Sequence, residues 1–230
     1  MDVKKLFDLI RKIKGDGLTQ GEVDAINAAI AGDDRPVIPL NRTGFFASIR
    51  TKLGPFSQSQ VDGMNAVLDA VEDAPLSHAA YMLATAWHET DKAMQPVMEA
   101  NWMSARWRKD NLRYFPYHGR GYVQITWKKN YEWLDEAAAK AGLSKRGEIM
   151  ANLDLAMRPD IAAFALRKGM DEGMYDAHGK TMAQRLPVFG VATRQEYINA
   201  RYLVNIQDKA AQIADYAIAF EAALMAGGKS

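Results

Sequence analysis

Most of this chain repeats its apolar residues at the spacing of an α-helix. The run Ala79-Ala80-Tyr81-Met82-Leu83-Ala84-Thr85-Ala86-Trp87 is almost wholly apolar, which predicts a helix buried on every face, with Pro75 suited to its first turn. Asn130 to Ala141 reads as a charged amphipathic helix stopped by Gly142, and Ile161 to Lys168 as a helix behind Pro159. Later, Ile213, Tyr216, Ala217, Phe220 and Leu224 share one stripe that stops before Gly227-Gly228. One segment keeps a different period. Tyr122-Val123-Gln124-Ile125-Thr126-Trp127 alternates behind Gly119-Arg120-Gly121 and predicts a short edge strand. Val123, Ile125 and Trp127 would share its dry face. Tyr122, Gln124 and Thr126 would share the wet one, offering an amide and a hydroxyl able to orient a sugar or a water.

The N-terminal pattern is written twice. Leu6 to Gly15 aligns with Phe45 to Gly54, and Leu18 to Ala28 aligns with Phe56 to Ala66. Each copy reads as helix, glycine turn, helix, with a capping box after the turn: Thr19 with Glu22, then Ser57 with Gln60. Two copies are too few for a solenoid, so a duplicated helical hairpin is predicted. Gly32 to Asn41 holds turn formers and two prolines and reads as a linker. The expected division is a first hairpin with linker over residues 1–43, repeated at residues 45–69, and a larger domain over residues 44–230. In the first copy Val3, Leu6, Phe7, Ile10 and Ile13 form a stripe, with Lys4, Lys5, Arg11, Lys12 and Lys14 mostly around it. Such a helix can lie on an anionic membrane surface through residues 3–14, although packing on the rest of the protein is the commoner use of an apolar stripe.

Composition narrows the partners. Charges nearly cancel, at a formal +1, so no global electrostatic case for nucleic-acid binding exists. The chain has no cysteine, which excludes disulfides and thiolate-held zinc or iron–sulfur sites. No His, Asp and Glu grouping has convincing metal-ligand spacing, and neither metal nor cofactor is expected. The Ala79–Trp87 run has about half the length needed to span a bilayer, and the N-terminus lacks the apolar stretch of a signal peptide. A monomer with no integral membrane segment is expected.

The chemistry centres on Glu89, which closes the apolar run within His88-Glu89-Thr90. Carboxylates are seldom buried without a partner. Desolvation at the end of a core helix would raise the pKa of Glu89, and a carboxyl protonated near neutral pH can act as a general acid. Taken alone, Glu89 is more readily a solvated charge at a helix end. The rest of the chain reverses those odds.

Four stretches together resemble the lysozyme-like glycoside hydrolase family 19, in its phage and prophage endolysin branch. They are Tyr81 to Thr90, Met94 to Ala100, Tyr117 to Tyr131, and Asn199-Ala200-Arg201 with Asn205. The likeness covers roughly Phe45 to Leu224, and Gly119-Arg120-Gly121 with the residues up to Trp127 is its most specific piece. The resemblance implies a mainly α-helical, lysozyme-like two-lobed domain with a short β-hairpin or small sheet beside a substrate cleft. It also implies hydrolysis of β-1,4 links between N-acetylated amino sugars, in peptidoglycan or chitin. Glu89 would then be the general acid, Glu99 the second carboxylate that activates water, and Thr126 the hydroxyl that holds this water. His88, Tyr122, Gln124, Asn130, Arg201 and Asn205 would line the substrate or the polar cluster near it. The chain departs from the family where His118 stands for a second tyrosine and where Ile206 replaces a glycine after Asn205.

Two carboxyls are needed because the leaving oxygen must be protonated while water is activated, and inverting chemistry asks for roughly 6.5–9.5 Å between them. Different environments separate their roles. Asp110 is the main rival to Glu99; Asp91 reads as a helix-end charge, and Glu132 and Glu136 as solvated helix-face charges. Trp102, Trp107, Tyr114 and Tyr117 are expected mostly in the core, with one or two free to stack on sugar. Arg106, Arg108, Lys109, Arg113 and Arg120 lie among them and favour an anionic polymer, peptidoglycan with its stem-peptide carboxylates, over neutral chitin. The expected protein is therefore an endolysin acting on peptidoglycan glycan strands, kept in the host cytoplasm until a separately encoded holin releases it. A chitinase and a non-catalytic virion structural or wall-binding protein are the alternatives.

Overall fold

The structure, a computed structural model, describes residues 39–176, 178–205 and 207–229. The first hairpin copy and its basic stripe over residues 3–14 lie outside the described residues. From Pro39 onward the chain forms one compact unit, mainly helical with a two-stranded antiparallel sheet. In order, it holds α1 (Arg42–Leu53), α2 (Gln58–Ala70), α3 (Leu76–Glu89), β1 (Val97–Met98), α4 (Ala105–Asn111) and β2 (Arg120–Gly121). Then come α5 (Lys128–Lys140), α6 (Glu148–Ala151), α7 (Pro159–Asp171), α8 (Arg194–Asn199) and α9 (Ala210–Ala226). Short 3-10 turns cover Leu153–Met157, Met182–Gln184 and Ala200–Leu203.

Local chemistry explains the element ends. Asn41 caps α1 by accepting from the Gly44 amide, and Ser57 and Gln60 form the expected capping box on α2. Gly54, at φ 89°, makes the turn between them at no steric cost. α3 is buried from Leu76 through Trp87, as its apolar run demands, and packs on α9, which also covers α1. Phe45 and Trp87 both meet Phe220 there. The ends of the unit are tied together: the Asn41 amide donates to the Gly227 carbonyl at 2.8 Å.

Two apolar cores result. Phe45, Ile49, Val67, Leu83, Trp87 and Phe220 belong to the larger, around α3. Ile125, Tyr131, Leu134, Ile149 and Ile161 make the smaller, beneath α5 and α6. α7 serves both, with Ala162 and Leu166 in the larger and Ile161 and Ala165 in the smaller. Full burial of one such aliphatic side chain contributes about 1.5–3 kcal/mol, so these two clusters supply most of the stabilisation.

The sheet differs from its sequence reading. β1 pairs with β2, Val97 opposite Gly121 and Met98 opposite Arg120. The expected strand from Tyr122 to Trp127 is a tight turn instead: the Arg120 amide donates to Ile125 O at 3.2 Å and the Ile125 amide to Arg120 O at 2.9 Å. Gly121, Gln124 and Trp127 take φ of 86°, 53° and 73°, which breaks the alternation of faces. Tyr122, Val123 and Ile125 are all buried, while Trp127 faces solvent. A period of two in the sequence cannot distinguish a strand from a turn whose positive-φ residues also throw side chains to both sides.

Candidate active site

Glu89 is delivered by a rigid helix and met by a cation from far along the chain. Its carboxylate Oε1 accepts from Arg201 Nη1 at 2.7 Å, and the side chain remains 20% exposed, against 1% for Arg201. The Arg201 Nε donates to the Asp208 carbonyl at 2.9 Å. Removing a guanidinium from water costs several kcal/mol, which only paired and hydrogen-bonded geometry offsets. Glu89 is thus half of an ion pair, not an isolated carboxyl in an apolar setting. His88 is half-buried beside it; burial pulls its pKa below the usual value, and the Glu89 charge opposes this. Asn205 is exposed and its amide donates to the Arg201 carbonyl at 2.9 Å, so it marks the rim. Thr90 turns the chain away: its hydroxyl donates to Ala86 O at 2.8 Å and accepts from the Met94 amide at 2.9 Å.

Glu99 sits just past β1 on a scaffold of a different kind. Its Oε1 accepts from the Tyr114 hydroxyl at 2.7 Å and its Oε2 from the Gly119 amide at 2.9 Å, while its own amide donates to the Gly119 carbonyl at 2.8 Å. The bond to Glu99 raises the Tyr114 pKa above its usual value. Gly119 also makes room for Gln124: a Cβ there would lie 2.5 Å from the Gln124 Oε1 and would push that side chain aside. The Gln124 amide nitrogen is spent on backbone, donating to Val97 O at 2.9 Å and Gly121 O at 3.2 Å. Thr126, half-buried, donates its hydroxyl proton to Gln124 O at 2.7 Å, which leaves its lone pairs to accept from a water. Tyr122 is fully buried, its hydroxyl 3.4 Å from both the Gly63 and Met94 carbonyls, and burial pushes its pKa up to about 12. Asn130 is half-buried in the first turn of α5.

Two groupings therefore emerge. Glu89, His88, Arg201 and Asn205 form the first. Glu99, Gln124 and Thr126 belong to the second, with Asn130 a few residues beyond it on α5. Tyr122 belongs to neither, since it is buried in the larger core and its hydroxyl faces the Gly63 and Met94 carbonyls, which corrects its reading as a substrate-lining residue. The loop from Thr90 to Pro96 joins them. Sequence reasoning missed Tyr114 and the Gly119 amide as partners of Glu99; the only prior signal for Tyr114 was its place among crowded aromatics. Among the described residues, six of the seven non-glycine positions with positive φ lie in this region: Asp91, Lys92, Met94, Ala100, Gln124 and Trp127. Such conformations cost of order 1–3 kcal/mol each and persist only where neighbouring contacts dictate them, a pattern concentrated at functional sites.

The neighbouring charges sort clearly. Asp110 makes an exposed 3.8 Å pair with Arg106 within α4. Asp91 is exposed, and Glu132 and Glu136 pair with Lys128 and Lys140 on the surface of α5. Arg120 is an internal strut, 5% exposed, bonded to Asp154, to the Pro116 and His118 carbonyls and to the Tyr131 hydroxyl. Arg108 holds the Ala100 and Met103 carbonyls. Neither reaches outward, which corrects the reading of both as part of an attracting basic run. The aromatic expectation needs a similar correction: Trp107 is 37% exposed on α4, which buries no residue, and Trp102, in the turn before it, is 78% exposed. His118 is 2% exposed and stacked on Phe115 at 5.6 Å; burial first, then Arg120 and Arg108, lower its pKa.

A groove of about 430 Å³ between α2 and α7, lined by Ala66, Ala70, Pro159 and Phe164 among others, contains none of these residues. Among the described residues no cluster of His, Asp and Glu is arranged to hold a metal ion, and no helix is long and apolar enough to cross a membrane. No family model matches the chain, and no curated protein or solved structure matches it significantly.

Proposed function

We propose that the protein is a lysozyme-like, two-lobed glycoside hydrolase, an endolysin that cleaves β-1,4 bonds of peptidoglycan glycan strands and reaches them from the host cytoplasm after holin action. One observation carries this reading: two carboxylates a short loop apart are each oriented by named donors, in two differently built settings. Arg201 engages only Oε1 of Glu89, which leaves Oε2 to face the leaving oxygen in the general-acid role. Glu99, fixed by Tyr114 and Gly119, serves as the base, with a water accepted by the lone pairs of Thr126. The two apolar cores that share α7 are compatible with two lobes.

Glu89→Gln keeps the shape and its Arg201 contact but removes the transferable proton. Lysis of chloroform-treated Gram-negative cells should fall at least about 100-fold while the variant still folds, with an unfolding temperature lowered by the loss of the Arg201 ion pair. Mass spectrometry of digested peptidoglycan should show hydrolysed sugar ends and no anhydro-sugars. Undiminished lysis by a folded Glu89→Gln protein would sink the mechanism, and sugar release confined to colloidal chitin would transfer the activity to that polymer.

A further inference from the structure

We propose that Arg113 and Trp127 form a subsite beside Glu99 for an anionic amino sugar, an N-acetylated pyranose bearing a carboxylate. The proposal rests on the glycan-hydrolase reading and names the sugar that this part of the site selects. Most arginines of the described residues pair with a carboxylate, as Arg158 does with Asp160 and Arg194 with Asp215, both at 2.7 Å. Arg113 does not. Its guanidinium lies 5.2 Å from the centre of the Trp127 ring, and among the described residues no acid pairs with it. The Trp127 indole is 43% exposed, in a backbone conformation at φ 73° that a tryptophan seldom adopts. Its edge meets Tyr114 at 5.1 Å, and the Tyr114 hydroxyl donates to Glu99 at 2.7 Å. Guanidinium, indole, phenol and carboxylate thus form one continuous run that ends at the candidate base.

Each part of this run suits a different part of the ligand. An exposed indole offers a rigid apolar face against which the C–H groups of a pyranose can pack. An unpaired guanidinium presents a planar fork that matches a carboxylate with two parallel hydrogen bonds. A neutral sugar would use the first and leave the second idle. A lactyl or peptide carboxylate attached to the sugar uses both, and its nearness to Glu99 would set the register of the strand across the cleaved bond. Trp107, 37% exposed on α4, and Lys109, exposed and with no acid paired to it among the described residues, extend the same chemistry away from Glu99.

The test is equilibrium binding to the full-length chain carrying Glu89→Gln, by calorimetry, with three tetrasaccharides. One is the neutral N-acetylglucosamine oligomer, one alternates it with the lactyl-bearing sugar, and one carries the stem peptide as well. Adding Arg113→Gln should weaken the lactyl tetrasaccharide about tenfold and the neutral oligomer by less than about twofold, a tenfold loss being of the size expected for one charge-assisted contact. Arg113→Lys, which keeps the charge and loses the fork, should fall between. Trp127→Ala should weaken both sugars, with Trp127→Phe as the substitute if the alanine variant does not fold. If only the peptide-bearing sugar responds to Arg113→Gln, the recognised carboxylate is the peptide's. Equal responses on neutral and anionic sugars, or no response on any, would each overturn the proposal. Hydrolysis by the unsubstituted chain is read separately: its absence beside intact Arg113 discrimination removes the hydrolase reading alone, and its presence without discrimination removes the subsite alone.

Discussion

In α3 every residue from Leu76 to Trp87 is buried, whereas from Asp91 to Trp127 six non-glycine residues take positive φ and three tryptophans face solvent. The first region is held by apolar area, which is non-directional and tolerates the loss of any one polar contact. The second is held by individual hydrogen bonds: Glu99 to Tyr114 and Gly119, Gln124 to Val97, Arg120 to its four partners. One carboxylate of the proposed pair stands on each. A residue on the helix is positioned by packing, and a residue on the hairpin by partners that can be removed one at a time. The two regions should therefore fail in different ways.

The largest effect is expected where the second region rests on the helical body. A Cβ on Gly63 of α2 would lie 1.5 Å from the Met94 carbonyl, so Gly63→Ala must force the loop off the helix. A loss of about 3 kcal/mol or more in urea unfolding is expected, at the upper end of overpacking costs; a loss under about 1 kcal/mol would show that the loop yields freely. Next comes Arg201→Met, which leaves Glu89 without its cation. Breaking a fully buried pair costs about 3–5 kcal/mol, and because Glu89 keeps 20% exposure about 2–3 kcal/mol is expected. Adding Glu89→Gln should restore part of that stability, and failure to do so would mean that packing of Arg201, not charge, was lost.

Glu99→Gln tests the hairpin. Its amide oxygen can accept from the Gly119 amide while its nitrogen donates to the Tyr114 oxygen, so the charge is what is lost: turnover should collapse at a stability cost of about 1 kcal/mol. A smaller change is expected from pH. Burial holds the folded-state pKa of His118 below its unfolded value of about 6.5, so its contribution is complete above that pH and is lost as pH falls toward the folded value. His78 and His88 shift in the same direction for the same first cause. His118→Phe, which preserves a ring against Phe115, should therefore flatten but not abolish the loss of stability between neutral and mildly acidic pH. An unchanged slope would assign that loss to the other histidines. Smallest of all, Asp110→Asn breaks only an exposed pair and should alter stability by less than about 0.5 kcal/mol with lysis retained; a collapse of lysis would move the second carboxylate from Glu99 to Asp110.

The same contrast governs what could be read in advance. α1, α2, α3, α7 and α9 follow from apolar period, glycine and proline stops and one capping box, because burial of a helical face leaves a local imprint on the sequence. Glu89, Glu99 and Thr126 were visible as residue types in order. Their partners were not. Arg201 is named by the resemblance as part of the polar cluster, but its pairing with Glu89, 112 positions away, leaves no local pattern to read. Alternation gives Tyr122 a wet face on a strand, whereas positive φ at Gln124 and Trp127 redirects the chain and buries it. Tryptophan hydrophobicity points Trp102 and Trp107 inward, yet α4 buries no residue and both rings face solvent among the described residues.

The bond from the Asn41 amide to the Gly227 carbonyl has a topological consequence. It brings the first and last turns of this unit within one hydrogen bond of each other, so the described fold is nearly a closed ring with a single cut. Where that cut lies matters little to the contacts. Joining residues 228 and 39 by a short bridge and reopening the chain in the exposed turn at Lys145–Gly147 would preserve both cores and both carboxylate scaffolds. The order of the helices along the chain would then be a record of how the gene is written, and not a requirement of the architecture.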